Sequence, residues 1–290
     1  MVVNAVGTDM NGAAKITVTS REDAAPSATQ VVAALMATAP VIDGRTSSAN
    51  EWTAVPLSSL QLTNLFGADN GISAADVQMG YDRANIYMRI RWTEVESGEF
   101  LAAADTTWKM WTFDGSQWSQ GNGDDKLFLV WETSPITGWD ANGLTTIFNG
   151  TTFKTPAAGE QADLWMWSGT RTYYAGVCAD KNVVYSTTNG EQDDFGIQYF
   201  IENTPQAGLP AYMKTHSPKV GSTYPLWAFE YGPFVNTIDW EAGATIPGVI
   251  TLQPSVSAAD VRAAAVFANG TWTVELRRVR NTGHHDDVVL

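Results

Sequence analysis

The sequence predicts an all-β chain: an antiparallel β-sandwich with long irregular loops and an N-terminal arm. Three observations point there. Short runs alternate apolar and polar residues with the period of a strand, helical periodicity is weak throughout, and Gly, Asn and Asp punctuate the runs at short intervals. No repeat of fixed period is present.

Residues 1–40 read as the arm and 41–290 as the sandwich. In the arm, Lys15–Thr19 alternates like a strand, and the apolar stretch Ala28–Ala37 reads as a short helix. In the sandwich, Asn85–Trp92 places Ile86, Met88, Ile90 and Trp92 on one face, with Tyr87, Arg89 and Arg91 on the other. Lys126–Trp131 is almost continuously apolar, as in a central strand covered on both faces. Residues 183–185 and 196–201 suggest further strands. Two alternating runs then meet at Asn269-Gly270, a strong hairpin signal, with Trp272, Val274 and Leu276 facing one way. Between them, residues 203–255 form a proline-rich excursion that is either packed over a function or filled by its own aromatic side chains.

The composition bounds the function. An apolar content of 44%, with 12 Trp, 11 Phe and 9 Tyr, supports a substantial core. A net charge of -14 leaves nothing to neutralise phosphates and so excludes nucleic acid, while it suits a basic partner such as a c-type cytochrome. Cys178 is the only cysteine, so the chain has no internal disulfide and no C-x-x-C-H haem attachment. A buried thiol is the expectation for it, an intermolecular bridge the alternative. No run approaches the roughly twenty apolar residues of a membrane span, and Met1–Met10 lacks the pattern of a secretory signal.

Asp114-Gly115 and Gly121-Asn-Gly-Asp-Asp125 group oxygen donors on glycine-rich turns. They read either as calcium ligands (Asp114, Asp124, Asp125) or as capped β-turns. Asp193-Asp194 and Asp286-Asp287 read as turn acids. With three histidines, two of them adjacent, and no nucleophile elbow or phosphate loop, no catalytic set emerges and the chain is expected to be no enzyme.

Several fragments stand in a characteristic order: Pro40–Gly44 with Glu51-Trp52, Tyr81-Asp82, Asp124–Trp131, Asp163-Leu-Trp-Met-Trp167, Pro210–Met213, Ile246–Val249 and the terminal hairpin with Arg277-Arg278 and Thr282–Val288. Together they resemble the haem-binding domain of the ethylbenzene dehydrogenase gamma subunit. Its relatives include cytochrome c-552/dimethyl sulfoxide reductase-like and DOMON-like domains. The resemblance implies a haem b held without covalent attachment, electron transfer within a molybdenum dehydrogenase complex, and a periplasmic or extracellular location. The haem-attaching cysteines of some members have no counterpart in residues 136–143. The expected axial ligand is Met166, between two indoles, with Met79, Met213 and His284 as further candidates. Met166 reads alternatively as a core methionine, and His284 as a surface residue. Relatives also extend past the acidic turn, so Lys15–Thr19 or a neighbouring molecule's arm is expected to fill the missing edge.

Two other functions fit the same sandwich. It resembles family 9 carbohydrate-binding modules, in which case Trp108, Trp111, Trp118 and Trp139 would form sugar-stacking platforms beside calcium. Alternatively it is a structural subunit of a polymer or larger complex, assembled through residues 1–25.

Overall fold

The computed structural model describes residues 2–6, 12–15, 17–19, 30–45, 50–64, 74–93, 109–121, 124–204 and 208–290. Two seven-stranded sheets face one another. The first runs, in spatial order, Glu191–Asp193, Ala179–Val184, Gln161–Ser168, Lys126–Glu132, Val2–Val6, Gly12–Lys15 and Thr63–Asn64. The second runs Arg262–Ala268, Thr271–Val279, Asn85–Thr93, Ala74–Tyr81, Gln30–Leu35 and Thr17–Thr19, with Leu57–Gln61 also paired to Ala74–Tyr81. This is the expected all-β sandwich.

Alternation places the core. Ile86, Met88, Ile90 and Trp92 on one strand and Trp272, Val274 and Leu276 on the next meet Leu127, Leu129, Trp131, Trp165 and Trp167 from the other sheet. Lys126–Glu132 is covered on both faces, since Phe128 and Val130 enter a second cluster behind the first sheet. Asn269 and Gly270 both take positive φ, 53° and 73°, as a two-residue hairpin turn that follows the strand twist requires. Cys178 is buried in the inter-sheet core as a free thiol.

The arm departs from expectation in two respects. The expected strand Lys15–Thr19 is divided, Lys15 ending a strand of the first sheet and Thr17–Thr19 forming one of the second. Gln30–Leu35 is a strand, not part of a helix, and it pairs in parallel with Ala74–Tyr81 on one side and Thr17–Thr19 on the other. The run carries two adjacent β-branched valines, and both its faces find cover. Val31 and Ala33 enter the inter-sheet core, whereas Ala34 and Met36 pack against Trp52, Val55 and Tyr87. Val2–Val6 and Gly12–Lys15 form a hairpin on Lys126–Glu132, so the arm's described strands extend both sheets of their own chain.

The 203–255 excursion is anchored by Asn203, which is fully buried. Its amide donates to the carbonyls of Tyr212 and Pro247, and its oxygen accepts from the N–H groups of Ala211 and Tyr212. The excursion then packs Met213, Trp240 and Ile246 on Trp111 and Trp118.

Two buried charges tie the motifs together, and both lie on Thr271–Val279. On the outer face, the Glu275 carboxylate accepts the amides of Asp43 and Gly44 at 3.1 and 3.0 Å and the Trp52 indole N–H at 2.9 Å. Gly44 has φ +69°, and a Cβ there would lie 2.6 Å from the Ala265 backbone, so only glycine fits. On the inner face, the fully buried Arg278 guanidinium sits 2.7 Å from Asp287, 3.4 Å from Asp163 and 3.7 Å from Asp180, and stacks 5.0 Å from the Trp165 ring centroid. It also donates to the Val288 carbonyl, while the Val288 N–H donates to Asp163.

Burial pushes the Asp163 carboxyl up to about 7 despite Arg278, and likewise raises Asp180 well above the usual carboxylate range and Asp194 to about 6.

Two outcomes follow. Glu275→Ala leaves the Asp43 and Gly44 amides and the Trp52 indole without their acceptor and removes the carboxylate 3.8 Å from the buried Arg89, and is expected to cost about 3–5 kcal/mol in urea unfolding. Raised carboxyl values mean that the folded state binds protons that the unfolded chain has released. The associated stability is full below about pH 4 and lost as pH rises through about 7. In buffer free of divalent cations, the urea midpoint is therefore expected to fall between pH 5 and pH 8; a midpoint that rises over that range contradicts the account.

Candidate functional site

Opposed residues of an antiparallel pair share a face. On the first sheet, Leu129 with Trp165 and Trp131 with Asp163 point between the sheets, whereas Phe128, Met166 and Ala179, aligned across three strands, point outward. Met166 therefore does not lie among the indoles that flank it in sequence. It packs instead between the cluster of Phe128, Phe148 and Phe153 and that of Val177, Ala179 and Tyr199.

Residues 139–155 cover that outer face. A short helix, Trp139–Asn142, leads through a helical turn, Gly143–Thr146, to Phe148 and Phe153, whose rings stack with centroids 4.3 Å apart. Trp139, Leu144 and Ile147 fill the space against Phe128, Val130 and Leu164. Beside them lies a cavity of about 310 Å³, lined by Phe128, Phe148, Phe153 and Phe200, by Met166, by Lys126, Arg171, Lys181 and Glu191, and by Gly150 and Thr151. That volume falls within the span of roughly 300–1,000 Å³ common to small-ligand sites.

The cations of the lining are held differently. Arg171 pairs with the buried Asp124, reaches Glu202 at 2.9 Å and stacks 5.4 Å from the Phe200 ring centroid. Lys181 is gripped by Glu191 and Asp193. Lys126 has the weakest partner, Asp124 at 3.8 Å, an acid already engaged by Arg171. Burial pulls the Lys126 ammonium below its ordinary range, only partly offset by Asp124. The cavity thus combines aromatic faces, a single thioether and an incompletely balanced ammonium.

The other sequence candidates lie elsewhere. Met79 is fully buried between the sheets. Met213 lies in the cluster under the 203–255 excursion, its sulfur accepting from the Val235 N–H at 3.3 Å. His284 is only partly exposed, with Nδ1 at 3.1 Å from Asp260 and 3.0 Å from Ser257 Oγ. The four do not converge on one pocket.

The three acids of the glycine-rich turns do not converge either, because each has its own structural task. Asp114 is exposed and caps its turn through the N–H groups of Ser116 and Gln117. Asp124 pairs with Arg171 and accepts from Ser168, and Asp125 accepts the Trp272 indole N–H at 2.7 Å. Trp111, Trp118 and Trp139 are buried in two separate clusters and offer no sugar platform, while Trp108 lies outside the described residues.

Lys126, Arg171, Lys181 and the four phenylalanines were missed in the sequence. Only Lys126 and Phe128 carried a signal there, as alternate residues of one strand facing the same way.

A search of curated proteins gives no match. The family model described as ethylbenzene dehydrogenase matches residues 48–290, which takes in the cavity, Glu275 and the Arg278 network. With most of its length matched, the chain belongs to the ethylbenzene dehydrogenase family.

Proposed function

We propose that the chain is a non-catalytic electron-transfer subunit that holds haem b without a covalent bond in the cavity beside Met166. The observation that carries this reading is the lining itself: four phenylalanine rings and one thioether together with Lys126 and Arg171. A flat apolar macrocycle with two carboxylates at its edge matches that chemistry. The phenylalanines would bound the ring and exclude water, Met166 would offer its sulfur to the iron, and Lys126 and Arg171 would meet the carboxylates. When bound, haem supplies one-electron redox chemistry, and a thioether ligand in a water-poor site favours the ferrous state.

Family membership supports a place in a dehydrogenase complex outside the cytoplasm, between a molybdenum enzyme and a cytochrome. The net charge of -14 suits docking to a basic cytochrome. Among the described residues no helix is long and apolar enough to cross a membrane.

Adding hemin to the purified protein tests the reading. A Soret band with a stoichiometry near one is expected. Met166→Leu preserves volume, costing less than about 1.5 kcal/mol, and should shift the reduced bands and lower the potential. Met213→Leu should leave the spectrum unchanged. Wild-type protein that takes up no hemin ends the proposal.

A further inference from the structure

The motif residues Asp163 and Asp287 meet between the sheets, away from the cavity. Asp163 lies on Gln161–Ser168, Asp180 on the neighbouring Ala179–Val184, and Asp287 on the C-terminal segment. All three are buried, and one carboxylate oxygen from each lies within 4.8 Å of the others. Oxygen ligands at about 2.4 Å from a calcium ion are separated by no more than about twice that distance.

A second observation points to a ligand. Asp180 is fully buried, and neither of its carboxylate oxygens accepts a hydrogen bond from any described residue. Its nearest cation is Arg278 Nε at 3.7 Å. Asp163 Oδ1 is likewise without a hydrogen-bond donor, its Oδ2 being used by Val288 and Arg278.

Charge counting gives the same answer. Arg278 faces Asp163, Asp180 and Asp287, and Asp194, Asp260 and Asp286 stand close enough to act on the same groups. Among the described residues the other basic groups in contact are His284, beside Asp260 and Asp287, and the exposed His285, beside Asp286. With all three central carboxylates ionised, Arg278 leaves two of them uncompensated, and buried charge of that kind must be met by protons or by a cation. One divalent cation makes that balance zero.

We propose that Asp163, Asp180 and Asp287 bind a single hard divalent cation, with Asp180 as the principal ligand and Arg278 alongside. The donors are all oxygen, which favours calcium or magnesium over softer metals. Calcium is the better match, because magnesium keeps several of its waters and this site is buried. The ion would fasten the C-terminal segment to the first sheet.

The test uses the full-length chain after chelator treatment and dialysis, titrated at pH 7.5 with calcium chloride or magnesium chloride and followed by calorimetry and thermal unfolding. Calcium is expected to bind once per chain and to raise the melting temperature by several degrees, magnesium markedly less. Asp180→Asn, nearly isosteric and one charge lighter, should fold and lose the calcium response, whereas Asp114→Asn should keep it. Wild-type protein that shows neither calcium binding nor a thermal shift overturns the proposal, whatever the variants do. So does a calcium response that survives in Asp180→Asn. If stability follows pH but ignores calcium, a proton balances the carboxylates and no ion site exists.

Discussion

The fold hangs on one strand, Thr271–Val279, which carries a buried charge on each face. Arg278 points inward and gathers carboxylates from two strands of the opposite sheet and from the C-terminal segment. Glu275 points outward and collects the amides of the opening loop together with an indole. Neither charge is tolerable alone in an apolar interior, so each obliges its partners to be in place. Hydrophobic packing between the sheets is non-directional and would accept many relative placements. The two ionic anchors select one.

This division explains why family membership is easy to see and function is not. The fragments that carry the resemblance, at 40–44, 51–52, 163–167 and 277–288, mostly serve the two anchors and the inter-sheet core. The cavity draws on other positions, from Lys126 to Phe200, that come from separate segments. Shared frame residues identify the fold, whereas the chemistry of a site must be argued from its own lining. Met166 is the point where the two meet, since its neighbours Trp165 and Trp167 belong to the frame.

Much of the frame was legible in the sequence because its signals are local. Alternation over Asn85–Thr93 and Asn269-Gly270 each depend on a few adjacent residues. What was misread depends on distant partners. Residues 28–37 have enough alanine, leucine and methionine for a helix, and parallel pairing to Ala74–Tyr81 and Thr17–Thr19 makes part of them a strand. Tryptophan content announced aromatic surface without saying which side of a strand it takes, and Trp111, Trp118 and Trp139 went inside. The surroundings of Met166 could have been placed by its period-2 alternation with Trp165 and Trp167. The cations beside it could not, because Lys181 reaches the cavity through the sheet order and Arg171 through the turn that follows Gln161–Ser168.

The contact between Glu275 and the opening loop spans 232 residues of chain. During synthesis, the loop at 43–44 leaves the ribosome long before its acceptor exists, and Val2–Val6 must likewise wait for Lys126–Val130. The second sheet's Asn85–Thr93 has no partner on one side until the final hairpin is made. A chain with so many distant pairings closes late and slowly, with strand edges open meanwhile. Its vulnerable period is therefore before the hairpin at 262–279 is in place, and that hairpin acts as the clasp that ends it.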